Sequence, residues 1–198
     1  MVQKAARRGR PPQYDAAAAL AQARDAFWRQ GFQATSLDDL TAATGMNRPS
    51  LYAAFGDKRA LFLKTLRDYR RVNAAGARAL LERAPNLRDG LRAVFNAAIA
   101  LYLRDPPRGR GCFILGSAPS EAESDEEVRA ELRGITEDLD AAFAARMKKA
   151  GLSKTQIEIR APMATGIIHS LSLRARGRES KKSLAAFAER AAALLGSD

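Results

Sequence analysis

The stretch TSLDDLTAATGMNRPSLYAAFG, residues 35–56, decides how this chain is read. Ser36 stands where a helix N-cap belongs, and Asp39, three residues on, can reach back to the Ser36 N–H. That is a capping box with Asp in place of the longer Glu. The helix it starts should end at Thr44, because Gly45 takes the left-handed turn that closes a helix. Asn47 then caps another helix, and Pro49 falls in its first turn, where the missing N–H costs nothing. Leu51 and Phe55, four apart, give this short helix one apolar face. Gly56 ends it, and Asp57 caps a longer helix from Lys58.

Upstream, Asp15 caps an Ala-rich helix with Leu20, Ala23 and Phe27 on one face, and Gly31 closes it. Residues 1–14 carry Lys4, Arg7, Arg8 and Arg10, no acid, and the breakers Gly9, Pro11 and Pro12. Two readings of this run stand side by side. It is a solvated tail, or an arm that lies along DNA with arginines in a narrow minor groove.

The composition fits the local reading. Of 198 residues, 41 are Ala and 22 Leu, against 11 Val plus Ile, which disfavours a large sheet and favours an all-α fold. With 33 Lys and Arg against 22 Asp and Glu the formal charge is +11, suited to a polyanionic partner. A single Cys rules out an internal disulfide framework and fits a reducing compartment. One Cys and one His do not make a zinc site or a His-bearing triad, so no metal is expected. No apolar run is long enough for a bilayer, and MVQKAARRGRPPQYD has no signal-peptide core, so a cytoplasmic protein with no membrane contact is expected. GxSxG, HExxH and P-loop patterns are absent, and Gly109-x-Gly111 lies in a Pro-rich break rather than after a strand. The expectation is a protein that is not an enzyme and takes no cofactor.

Two short helices joined by a glycine turn, behind a longer helix and a basic arm, are the parts of a helix-turn-helix DNA reader. Residues 27–62 closely resemble the N-terminal domain of TetR-family transcriptional regulators at Gly31-Phe32, Thr35-Ser36, Gly45, Ser50-Leu51-Tyr52, Phe55, Lys58 and Ala60-Leu61-Phe62. The resemblance is strong over residues 14–62 and architectural beyond. It implies a flexible arm (1–13), a three-helix DNA-binding domain (14–58) and a helical-bundle domain for ligand binding and dimerisation (59–198). In such a reader the third helix enters the major groove, which makes Arg48 and Ser50 the main candidates for base contacts beside Asn47, Pro49 and Tyr52. Thr35, Ser36 and Lys58 are then phosphate contacts, with Arg7, Arg8 and Arg10 in the arm. Tyr52 packed on the first helix, and Lys58 as a solvated lysine, are the plainer alternatives. Ala53 and Ala54 replace the larger polar residues common in the family, so readout leans on Arg48, Asn47, thymine methyl groups and the arm.

Periodicity predicts six more stretches, about nine helices in all. They cover residues 58–82, 87–103, 112–117, 121–149, 154–174 and 181–195, with the clearest break at 106–111. The resemblance implies an effector cavity in this second half, and Phe95, Ile99, Tyr102, Phe113, Ile114, Phe143, Met147, Met163 and Ile167 are candidates to line it for a mainly apolar or aromatic small molecule. Ordinary core packing is the competing reading. It also implies a homodimer through the last two helices. Ile157, Ala161, Ala164, Ile168 and Leu171 make one apolar stripe there, and Leu184, Phe187, Ala191, Leu194 and Leu195 the other. By pattern alone such stripes are more often intramolecular core, but a two-fold protein reading two half-sites doubles its contacts, which favours the dimer.

The function so implied is a repressor that holds a palindromic operator in double-stranded DNA as a dimer and lets go when an effector binds. One rival is a thiol sensor. Cys112 follows Arg108-x-Arg110 at a helix N-terminus, and both features would lower its pKa, whereas a buried, inert Cys is the commoner case. The other rival is a nonspecific nucleoid-binding protein, which would have no need of a second half sized for a ligand. His169 reads as a hydrogen-bonded residue within its helix.

Overall fold

The computed structural model describes residues 15–104 and 109–197, and among them every regular element is an α-helix. The first three are α1 (Ala16–Gln30), α2 (Leu37–Thr44) and α3 (Arg48–Phe55), followed by the long α4 (Lys58–Arg83) and α5 (Leu87–Tyr102). Two short helices, α6 (Phe113–Ser117) and α7 (Pro119–Ala122), precede α8 (Glu126–Lys149), α9 (Lys154–Arg176) and α10 (Lys181–Leu195). None of them is long and apolar enough to cross a membrane. No group of three or more metal-ligating side chains gathers among the described residues.

The local signals set the boundaries. The Asp15 carboxylate accepts from the N–H groups of Ala17 and Ala18. Ser36 Oγ accepts from the Asp39 N–H at 3.1 Å while Asp39 Oδ2 accepts from the Ser36 N–H at 2.8 Å, so the box closes with Asp. Asn47 Oδ1 accepts from the Ser50 N–H at 2.9 Å, and Gly45 takes the left-handed turn at φ 65°. The chain departs from expectation at 118–125. The Pro119-Ser120 step opens α7 instead of turning the chain, because a proline at the first helical position gives up no hydrogen bond. The acid-rich helix then starts at Glu126, capped by Asp125, rather than at residue 121. Helix α9 runs through Pro162 to Arg176, two residues past its expected end.

Helix α1 packs on α2 and α4, α4 on α8 and α5, and α5 on α9 and α10. Helix α4 thus belongs both to the N-terminal trio and to the bundle. An aromatic cluster joins the two parts, with Phe27 and Phe62 at 5.1 Å, Trp28 and Tyr69 at 5.5 Å, and Tyr69 and Phe113 at 5.6 Å between ring centres. Phe113, fully buried on the short α6, touches Trp28, Phe62 and Tyr69 together. Outside this cluster α4 is laced to α8 by charge. Arg59 pairs with Asp125 and Glu127, Arg67 with Glu127 and Glu131, and Arg70 with Glu131 and Asp138.

The stripes expected at a dimer interface mostly face inward. Ala161, Ala164, Ile168 and Leu171 of α9, with Leu184, Ala191 and Leu195 of α10, are buried in the chain's own core. Ile157 and Phe187 are half-buried against the same core, and Leu194 is exposed at 68%. The reason is that α9 and α10 cover α5, and α9 also covers α8, which consumes their richest apolar faces. What they leave outside is a second set on α9, Ile159, Met163 and Leu173.

Candidate nucleic-acid interface and the cavity behind it

Helix α3 divides cleanly. Leu51 and Phe55 are buried, while Arg48, Pro49, Tyr52 and Ala53 face out. Tyr52, 43% exposed, is thus presented rather than packed away as a core aromatic. Arg48 Nη2 donates to Asp38 Oδ1 of α2 at 2.6 Å, and that carboxylate raises the guanidinium above its ordinary pKa. The guanidinium is therefore parked beside the helix start, and a base contact would exchange one charge-assisted partner for another. Ser50 is half-buried, and Asn47 is spent on its cap.

The expected phosphate contacts fare unevenly. Thr35 is fully buried and its hydroxyl donates to the Gly31 carbonyl at 2.6 Å, so the side chain ties the α1–α2 turn and has no free face for a phosphate. Ser36 is exposed, but its Oγ both accepts from the Asp39 N–H and donates to Asp39 Oδ2 at 2.6 Å. Lys58 is half-buried, with Nζ 4.5 Å from the Phe32 ring centre and 3.4 Å from the Gln33 carbonyl oxygen. Arg7, Arg8 and Arg10 lie outside the described residues. A residue missed by pattern is Lys64, whose Nζ donates to the Ala54 and Phe55 carbonyls and so seats a cation at the C-terminus of α3. Its spacing of nine from Phe55 crosses a turn, which helix periodicity does not report.

Behind this face lies a cavity of about 440 Å³ bounded by α1, α4, α5, α8 and α9. Helix α4 contributes Tyr69, Val72, Asn73, Gly76, Ala77 and Leu80, and α5 contributes Val94, Ala97, Ala98, Leu101 and Tyr102. Ile135, Leu139, Ile168 and His169 close it from α8 and α9, and Arg24 and Trp28 reach it from α1. Burial lowers the His169 pKa, against the opposing pull of Asp140, so the ring is neutral near pH 7. Its Nε2 is buried without a hydrogen-bond partner, contrary to the expectation of a satisfied histidine.

Residues 19–65 match the family model for bacterial regulatory proteins of the tetR family. The chain is 33% identical over 135 residues to the HTH-type transcriptional regulator YezE of Bacillus subtilis, an alignment spanning 68% of this chain and 69% of that one. The chain belongs to the TetR family of transcriptional regulators. It is also 35% identical over 126 residues to the HTH-type transcriptional repressor ComR of Escherichia coli, covering 64% of this chain and 60% of ComR. Among solved structures, a cysteine mutant of the TetR-family regulator CifR complexed with a 26-bp double-strand operator superimposes with a TM-score of 0.82. It is 31% identical, over 93% of this chain and 98% of that one. The molecule is thus a DNA-binding transcriptional regulator and not an enzyme.

In this TetR-family regulator the cavity is not where the apolar pattern put it. Of the nine expected lining residues, Tyr102 faces it. Phe95, Ile99, Phe113, Ile114, Phe143 and Met147 are buried core residues off its walls, Ile167 is half-buried off them, and Met163 is 48% exposed on the outside of α9. The largest side chains fill space, and the cavity opens where facing helices carry small ones, Gly76 and Ala77 on α4 opposite Ala97 and Ala98 on α5.

Cys112 also lines the cavity, and its thiol is buried, as in the commoner of the two sequence readings and against the sensor one. Burial pushes its pKa up, outweighing the N–H groups of Ile114 and Leu115 and the charge of Arg176. Arg108, one of the two cations invoked for lowering it, lies outside the described residues. The Tyr69 hydroxyl donates to Cys112 Sγ at 3.6 Å, and burial keeps Tyr69 and Tyr102 protonated.

Proposed function

We propose that this regulator is a repressor that binds a palindromic operator as a homodimer in the cytoplasm and releases it when a small effector enters the cavity. Residues 14–58 act as the DNA-reading unit and residues 59–198 as the effector-binding and dimerising one. The observation that carries the reading is that Trp28 of α1 is at once a wall of the cavity and a member of the aromatic cluster under the helix-turn-helix. A molecule seated there presses on the element that carries α2 and α3.

Dimerisation through the second α9 stripe fits this scheme. Ile159, Met163, Gly166, Ser170 and Leu173 follow a 4-3-4-3 spacing, a seam with small residues at its centre that lets two helices approach closely. Gly166 has open space beyond its Cα, and Leu173 is 73% exposed. Two copies joined there would present two α3 helices to half-sites about 34–36 Å apart. An effector that prefers a different separation would lower operator affinity by linkage, relayed through α4 and its ion pairs to α8.

The test is selection of bound duplexes from a random pool, with the oligomeric state measured alongside. A few palindromic sequences and a dimer are expected. A monomer that enriches no sequence would end the reading, and uniform binding to all duplexes would make it an architectural DNA-binding protein.

A further inference from the structure

The cavity has a polarity that the proposed function leaves unused. Most of its wall is apolar, yet Arg24 and Arg104 line it and, among the described residues, no Asp or Glu does. Arg24 makes two long ion pairs, Nε with Asp25 Oδ1 at 3.7 Å and Nη1 with Asp68 Oδ2 at 3.9 Å, both beyond hydrogen-bond length, and Asp68 is engaged more closely by Arg71 at 2.6 Å. Arg24 Nε is buried and has no hydrogen-bond partner. One turn along α1, Trp28 is 5% exposed and its Nε1 is also buried and unpartnered. Residues four apart share a helix face, and both residues line the cavity. Neither group can accept a hydrogen bond, so both call for an acceptor, and a guanidinium favours an anionic one.

Building on the effector reading, we infer that the cavity takes a small organic monocarboxylate. Its apolar or aromatic body rests on Val72, Ala98 and Leu139, and its carboxylate accepts from Arg24 Nε and Trp28 Nε1. Apart from Arg104 the remaining wall is mostly hydrocarbon, which suits an apolar body carrying one carboxylate at the Arg24–Trp28 pair. Both donors belong to α1, so the anion engages the DNA-reading unit directly as well as through α4.

The test is calorimetric titration of the whole protein with matched sets, 4-phenylbutyrate against 4-phenylbutanamide and 4-phenyl-1-butanol, and decanoate against decanamide, at constant ionic strength. The acids should bind at least about tenfold more tightly than their neutral partners, as a charge-assisted pair replaces a neutral one. Arg24→Gln should erase that preference, Arg24→Lys should restore part of it, and Trp28→Phe should weaken the acids more than the neutral compounds. Equal binding of acid and amide, an acid preference that survives Arg24→Gln, or no binding by any acid in the series overturns the inference. Operator binding is followed in the same titrations. Neutral compounds that bind and release DNA sink the carboxylate and leave the effector cavity standing. Acids that bind with the expected preference but leave the operator complex untouched sink the effector reading and leave the carboxylate.

Discussion

Residues 36–57 and the walls of the cavity are built on opposite principles. In the first, every boundary is set by a residue within three positions of it. Ser36 with Asp39, Asn47 with Ser50 and Asp57 with Ala60 each satisfy an N–H that a helix start leaves over. In the second, Arg24, Gly76, Ala98, Leu139 and His169 come from five helices and have no local relation. Local devices make a stiff reading head whose shape survives a change of surroundings. A cavity assembled from distant helices yields when any of them shifts, which is what a control site requires.

Phe113→Ala breaks this contrast hardest, since that side chain joins the two regions. The expected loss is about 3–5 kcal/mol, typical of a buried aromatic removed from a core, read as a lower urea midpoint. A loss under about 1 kcal/mol would mean that the head and the bundle do not share a core.

Arg48→Ala probes the head alone. It should cost about 1–3 kcal/mol on the selected operator and little on random duplex, whereas Lys58→Ala should weaken both alike and lower the salt slope by about one. An unchanged specificity ratio in Arg48→Ala would remove its base-reading role.

Ser36→Ala deletes one local device and should cost about 0.5–2 kcal/mol of stability in the same urea measurement, with the cavity's ligand affinity unchanged. A change in ligand affinity would show that the head's shape depends on more than its caps.

Acid should loosen the head's cap and the α4–α8 seam together. Asp39 is held below its ordinary pKa by the Ser36 hydroxyl and N–H, Asp125 chiefly by Arg59, and Glu127 by Arg67 and then Arg59. A carboxylate lowered in the folded state stabilises it fully above the unfolded pKa and stops doing so as pH falls through the folded value. The urea midpoint should therefore hold from neutrality to about pH 5 and decline below about pH 4. A decline that starts near neutrality would contradict this assignment.

The smallest effect concerns Cys112. With its pKa raised by burial, N-ethylmaleimide at pH 8 should modify the native protein at least about tenfold more slowly than the urea-unfolded chain. Equal rates would restore the sensor idea set aside above.

The apolar stripes of α9 and α10 show where legibility ends. Spacing correctly marks Ala161, Ala164, Ile168 and Leu171 as one face, but a face seeks any apolar partner, and α5 and α8 lie closer than a second chain. Lys58 shows the same limit at the DNA-facing end, where its ammonium rests on Phe32 and Gln33, twenty-five or more residues upstream. Thr35 shows it within a single turn, since only the path of the chain buries its hydroxyl against Gly31.

The amino-acid order by itself determined the helical class and the capped helix-turn-helix with Arg48 in the first turn of its second short helix. Each rests on hydrogen bonds and periodicities that span four residues or fewer. The tertiary structure alone decided which apolar faces were consumed inside the chain, that Cys112 is masked, and that Arg24 and Trp28 meet the small residues of α4 and α5 around an open space. That space is a gap between helices distant in the chain, and no local rule of spacing encodes where close packing fails.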